Sequence, residues 1–173
     1  MSHATKPAHC VAAGAPVALR SPLGWIPSSL RPGWRRRPRP AVIDRPVALR
    51  DGSKVLIRQV QPADAQLLAD GFARLSPQSR RMRFLARKDQ LSVAELRYLT
   101  DVDHHDHEAL GALDQADGRG VGVARYVRDS DDPHAAEIAV TIVDDWQGRG
   151  LGTELLTRLS ARARSEEIGR AHV

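Results

Sequence analysis

"VDDWQGRGLGTELL", residues 143–156, places three glycines, at 148, 150 and 152, between a strongly apolar run and an amphipathic helical pattern. Glycine weakens regular structure unless the backbone must take a positive φ or approach another group closely. Two readings are open at this point: a tight strand-to-helix turn, or a turn whose N–H groups hold an anion. Successive N–H groups at a helix N-terminus, helped by the helix dipole, make an anion site, and glycines let a diphosphate come near. The spacing is neither G-x-x-x-x-G-K-[ST] nor G-x-G-x-x-G, which argues against a nucleoside-triphosphate loop and a dinucleotide fingerprint.

The surrounding chain gives the turn its context. "AAEIAVTIV" (135–143) alternates as a strand, with Ile138, Val140 and Ile142 on one face and Glu137, Ala139 and Thr141 on the other. After the glycines, 150–164 reads as a helix with Leu151, Leu155, Leu156 and Leu159 as its buried stripe. Upstream, "SKVLIRQV" (53–60) is a strand after an Asp51-Gly52 turn. Helices are predicted over 61–75, over 76–85 with Ser76 as cap, and over 91–102 with Ser92 and Glu95 as a capping box. "HEALGALD" and "GRGVGVARYV" flank Asp117-Gly118, a hairpin signal. Strand, helices, three antiparallel strands and a helix make an α+β pattern.

Composition separates two regions. Residues 1–50 hold nine Lys/Arg against the single acid Asp44, a charge of +8, and eight of the eleven prolines. Residues 51–173 carry −3, so the net +5 of the chain belongs to an arm, taken as 1–46. That arm lacks the apolar content to order itself. It reads as a disordered leader, a start placed too far upstream, a nucleic-acid or acidic-surface contact, or a targeting peptide. The acidic balance of the remainder and an aromatic content of 4% argue against a nucleic-acid module. No apolar run reaches the roughly 18 residues of a membrane span. The lone Cys10 fits a reducing compartment, and the cytoplasm is the expected location.

Gln147-Gly148-Arg149-Gly150-Leu151-Gly152, after a strand and before a helix, resembles the Q/R-x-x-G-x-G/A acetyl-CoA loop of the GNAT family of N-acetyltransferases. The resemblance runs over about 48–167 through "LRDGSKVLIRQVQPADA". "LSPQSRRMRF" and "VDHHDHEAL" look like a subgroup that includes bacterial protein-lysine acetyltransferases. It implies a mixed, mainly antiparallel sheet flanked by helices, with acetyl-CoA as co-substrate. It also implies that residues 147–152 bind the diphosphate through main-chain amides, Arg149 and Leu151 contributing little by their side chains. Backbone groups of Val140, Thr141 and Ile142 would then hold the pantetheine arm. The acceptor would be a primary amine, on a protein lysine or a small molecule.

Such an amine, of pKa about 10.4, is protonated at neutral pH, and freeing its lone pair costs about 4–5 kcal/mol. A proton acceptor is needed. Glu137, a carboxylate within an apolar strand, is the candidate: burial there would raise its pKa, and its position resembles that of the family's general base. The plain alternative is a strand-edge glutamate in a surface ion pair. No acyl-enzyme nucleophile is in view. "DVDHHDHE" (101–108) has the composition of a divalent-metal site, but adjacent histidines point to opposite faces of a strand, so no metal is expected. His104 or His107 could line an acceptor groove.

The C-terminus departs from the family pattern. The resemblance implies a further strand splayed from 136–143, then a helix and two strands bearing a tyrosine acid, none of which follows "SEEIGRAHV". Ile168–Val173 back-translates to a short-read sequencing adaptor, so 168–173 is read as non-native and 47–167 as a partial domain. On that reading 135–143 is left as a bare apolar edge and the chain as written is inactive. A non-catalytic acyl-CoA-binding regulatory module and a nucleic-acid-binding protein acting through its basic arm are the alternative functions.

Overall fold

The structure, a computed structural model, describes residues 45–84 and 88–172; nearly all of the basic arm expected over 1–46 lies outside them, as does Val173. One six-stranded sheet runs β1 (Arg45–Ala48), β2 (Lys54–Gln59), β3 (His107–Asp114), β4 (Gly120–Arg128), β5 (Ala135–Ile142) and β6 (Arg170–His172), in chain order. Every pair is antiparallel except β5 and β6. Between β2 and β3 come α1 (Ala65–Ala73), α2 (Pro77–Phe84) and α3 (Val93–Thr100), and α4 (Leu151–Ser165) connects β5 to β6. A parallel pair needs such a crossover, and α4 supplies it. The α+β arrangement is the expected one, although the sheet already begins at Arg45. Pro46 is tolerated because β1 is an edge strand.

Local chemistry sets the helix starts. Pro62 sits in a 3-10 turn ahead of α1, where a missing N–H is harmless. Both guanidinium arms of Arg58 grip Asp64 at 2.6 Å there, which holds that carboxyl below the usual range. Ser76 Oγ accepts from Ser79 N at 3.2 Å and caps α2. The capping box of α3 is present: Glu95 N donates to Ser92 Oγ at 3.3 Å, and Ser92 N to Glu95 Oε2 at 2.9 Å.

Strand alternation divides the core into two layers. Val55, Ile57, Leu110, Ala112, Ala124, Tyr126 and Ala136 face α4, whose Leu151, Leu155 and Leu159 are at most 1% exposed. Leu156, expected in that stripe, is 38% exposed. The line i, i+4, i+8 follows the sheet, and the next position round turns to solvent. The stripe continues instead into Arg162 and Ala163. Beyond α4, Ile168 enters the core at 4% exposure and β6 pairs with Ala135–Glu137. The strand expected to be missing after α4 is thus present over three residues. The expected bare edge of β5 is covered at its start, and among the described residues it is open only from Ile138 to Ile142.

Glu108, fully buried on β3, fixes α4 to the sheet. It accepts from Arg162 Nε at 3.1 Å, Gln59 Nε2 at 2.9 Å and Ala109 N at 3.1 Å, and lies 2.6 Å from His104 Nδ1. Burial alone would push its carboxyl up, but the hydrogen bonds from His104, Arg162 and Gln59 more than reverse this and lower it. Removing one partner leaves a buried charge uncompensated. Arg162→Met is therefore expected to destabilise the fold by about 3–5 kcal/mol, and Arg162→Met with Glu108→Leu by much less. Urea unfolding of the two variants checks this.

Candidate active site

The glycine turn is built by backbone conformation. Gly148 has φ +75° and Gly150 φ +91°, both in the left-handed region that side chains disfavour. Gly150 is the N-cap of α4 and offers no side chain to it, so the first-turn N–H groups of Leu151, Gly152 and Thr153 have no helical acceptor. Gly152 differs from the other two: its φ is not positive and a Cβ there would make only ordinary contact with Ile142 at 4.0 Å, so neither conformation nor space within the chain demands glycine. Gln147 N is already used, donating to Asp144 O at 3.2 Å, so the open amides begin after it.

The side chains of the turn brace it. Gln147 Nε2 donates to Ile142 O at 3.2 Å and to Asp144 Oδ1 at 2.9 Å. Asp144 also accepts from Ser76 N and Ser79 Oγ, each at 2.5 Å, which ties the turn to the start of α2 and keeps this carboxyl low. Arg149 lies over the Trp146 ring at 4.7 Å, donates to Asp145 O at 2.7 Å and pairs with Asp51 at 3.1 Å. Its side chain is thus occupied within the protein. Leu151 is 1% exposed and can reach a ligand only through its N–H. Arg50, which sequence reading passed over, lies along Gly150: a Cβ there would come within 3.3 Å of its Nε.

On β5 the main chain and the side chains part company. Val143 N donates to Val121 O at 3.0 Å and Asp129 N to Ala135 O at 2.9 Å, so odd-numbered residues of β5 turn their backbone toward β4. Thr141 therefore spends its main-chain groups in the ladder and presents its side chain to a cavity. Val140 and Ile142 aim theirs at the open edge, where Ile142 O already meets Gln147. Glu137 shares the face of Ala139 and Thr141, lies opposite Val127 on β4, and is exposed. The burial expected of it is not found: among the described residues no element covers the start of β5 on that side.

That face bears a half-open cavity of about 90 Å³ between the sheet and α1–α3. Arg58, Arg83 and Arg125 line it among apolar groups such as Leu68, Phe72 and Val123. Arg125, 5% exposed, donates to Leu99 O at 3.3 Å and meets His107 Nε2 at 3.2 Å. Burial, then the Arg125 charge, pushes His107 down to about 4, so its imidazole is neutral at pH 7 and Nε2 accepts. Tyr98 stacks on it with ring centroids 5.1 Å apart. Burial raises the Tyr98 phenol, and Glu137 adds to that rise. Arg125 and His107 carried no spacing signal; each is an ordinary polar residue on an alternating strand.

The histidines of 101–108 diverge. His104 turns to Glu108, His105 to Glu166 at 2.6 Å, and His107 to Arg125. No group of three metal-ligating residues stands together among the described residues. Among them, too, no helix is long and apolar enough to cross a membrane.

Comparison with known proteins agrees with this geometry. The profile of the acetyltransferase (GNAT) family matches residues 74–173. The chain belongs to the GNAT family. It is 40% identical over 119 residues to acetyltransferase PA5475 of Pseudomonas aeruginosa, covering 68% of this chain and 63% of that protein. To acetyltransferase Pat of Mycolicibacterium smegmatis it is 34% identical over 118 residues, 68% of this chain and 35% of that one. The chain thus spans under two thirds of either relative. The GNAT domain of S. lividans PAT superposes with a TM-score of 0.70 at 30% identity, over 76% of this chain and 77% of that domain. The glycine turn thus lies within the stretch matched by a family whose members use acetyl-CoA as co-substrate.

Two outcomes follow from the geometry. Gly150→Ala is expected to cost about 1–2 kcal/mol in denaturant unfolding, since an L side chain at φ +91° is strained and meets Arg50. His107 binds its proton less well folded than unfolded, so its contribution is intact above about pH 6.5 and is lost as pH falls toward 4. Unfolding midpoints over that window should fall, and His107→Gln should flatten the fall.

Proposed function

We propose that the protein is an acetyl-CoA-dependent N-acetyltransferase acting on a primary amine, of a protein lysine or a small molecule, in the cytoplasm. The observation that carries the reading is the open first turn of α4, entered through left-handed Gly148 and Gly150, beside the part of the β5 edge that is unpaired among the described residues. The amides after Gln147, through Gly148, Arg149, Gly150, Leu151 and Gly152, suit a diphosphate by charge and by lack of competing acceptors. Val140 and Ile142 offer edge groups to an extended amide-bearing arm, with Thr141 contributing its side chain from the cavity side.

Acetyl-CoA supplies, when bound, a thioester acetyl group whose C–S bond breaks as the C–N bond forms. Glu137 takes the amine proton, directly or through water, which its exposure permits. Arg83 and Tyr98 lie near enough to feel its charge, so the carboxylate stands at the rim of the cavity rather than apart from it. The closed hydrogen-bonding of His104 and His105 leaves them to the scaffold.

The test is a titration with CoA and with acetyl-CoA, followed by turnover on a panel of amines and lysine peptides. Gly150→Asp is expected to abolish CoA binding and Arg149→Ala to weaken it little. Glu137→Gln should lower kcat roughly a hundredfold at neutral pH and less at high pH. Binding without turnover on any amine would favour an acyl-CoA-sensing module, and an unchanged pH profile in Glu137→Gln would remove that residue from the chemistry.

A further inference from the structure

Positive charge gathers where α4 begins. The helix dipole has its positive end at Leu151, and a cation there is unfavourable unless an anion joins it. Two arginines nevertheless stand at that end, and their surroundings differ. Arg149 pairs with Asp51 at 3.1 Å and lies over the Trp146 ring at 4.7 Å. Arg50, on the turn between β1 and β2, is exposed, and among the described residues its guanidinium has no hydrogen-bonding or ionic partner. Its root is fixed all the same. Arg50 N donates to Arg149 O at 3.3 Å, and its side-chain Cγ, Cδ and Nε lie 3.4, 3.4 and 3.3 Å from where a Cβ on Gly150 would stand. The stem is thus laid across the N-cap of α4, in the space that glycine leaves. The acids of the neighbourhood are engaged elsewhere. Asp51 also accepts from Ser53 N and Oγ, Asp144 accepts from Ser76, Ser79 and Gln147, and Glu154 pairs with Arg158 at 2.9 Å. Asp145 bears on Arg119. Open guanidinium donors are therefore held beside open helix amides.

We propose that Arg50 binds the ribose 3′-phosphate of the co-substrate, so that the protein distinguishes CoA from dephospho-CoA. The inference rests on the acetyl-transfer reading, which sets the diphosphate on the amides after Gln147. CoA carries one further phosphate, a terminal group on its ribose, and those amides are already committed. The sheet order says which end of the ligand Arg50 meets. The thioester arm leaves the diphosphate along the edge of β5, whereas the β1–β2 turn reaches Gly150 from the other edge of the sheet, with β2, β3 and β4 between. Arg50 therefore stands on the side left to the nucleotide end. A terminal phosphate offers two oxygens at once to the planar fork of a guanidinium, and its charge offsets the cation at the helix end. Arg149, tied to Asp51, is left to brace the turn. Residue 50 lies outside the stretch 74–173 that the family profile matches, so the contact belongs to this chain's own N-terminal hairpin.

The experiment is a calorimetric titration with CoA and with dephospho-CoA, which differ only in the 3′-phosphate, on the wild-type chain, Arg50→Gln and Arg50→Lys. The wild type is expected to bind CoA roughly tenfold or more tightly than dephospho-CoA. Arg50→Gln should lose that preference while its affinity for dephospho-CoA stays as it was. Arg50→Lys should keep part of it, as a point charge without the fork. Unfolding temperatures without ligand establish that each variant folds, which the exposure of Arg50 favours. Undiminished CoA binding in folded Arg50→Gln overturns the proposal. So does an equal loss of affinity for both ligands, which moves Arg50 to the diphosphate. Equal binding of CoA and dephospho-CoA by the wild type removes the 3′-phosphate contact and leaves acetyl transfer standing. Failure of the wild type to bind either ligand sinks the functional reading, and the contact with it.

Discussion

Glu108 is a carboxylate with no solvent, and the position of α4 depends on keeping it paired. Arg162 comes to it from the last turns of the helix, Gln59 from β2, and His104 from the segment before β3. Three separate parts of the chain thus converge on one charge, which specifies their register more sharply than apolar contact does. Leucines at 151, 155 and 159 could slide along the sheet at modest cost. A guanidinium that must meet a buried carboxylate could not. Arg162 also reaches Glu166 at 3.2 Å, and Tyr126 OH donates to His105 O at 3.0 Å, so the C-terminal half of α4 is anchored on polar contacts.

With that end fixed, the N-terminus of α4 has to fall beside the last residues of β5. The chain has only residues 143–150 in which to turn from strand to helix, and two left-handed glycines make the reversal that short. Asp144 and Gln147 hold the reversal from within, while Ser76 and Ser79 hold it from the start of α2. The open amides of the first turn are therefore rigid before any ligand arrives. Preorganised donors of this kind bind anions without the cost of ordering a loop.

Much of this was legible in the sequence, and the reasons are physical. The glycines at 148 and 150 signalled a turn with open amides because few other residues can adopt those φ values. Ser92 with Glu95, and Asp117-Gly118, announced a helix start and a hairpin through local hydrogen bonding alone. Long-range polar contacts were not legible. Glu108 looked like one member of an acidic and histidine-rich run, and only the fold sends its neighbours His104, His105 and His107 to three different partners. Arg125 was indistinguishable from any strand arginine, since what sets it apart is a carboxylate it lacks. Glu137 was expected to be buried because its neighbours in sequence are apolar; alternation places it on the less covered face. Leu156 failed for the related reason that a stripe one residue too wide was drawn on α4.

The division of labour along β5 follows from the period of two and leaves little freedom. Val140 and Ile142 commit their side chains to the α4 layer, close enough that a Cβ on Gly122 would come within 2.8 Å of Ile142 Cδ1. Ala139 and Thr141 face the cavity, where small side chains preserve its volume. The main chain alternates in the opposite sense, so the residues packed on α4 are the ones whose N–H and C=O groups reach the edge. Among the described residues β6 takes those groups only as far as Glu137, and no strand pairs with Val140 and Ile142 on that side. One short strand thus separates a cationic cavity on its face from an anion-seeking helix end at its tip, with its backbone running between the two. A thioester laid along that edge would have its anionic end at the helix and its reactive end beside the cavity.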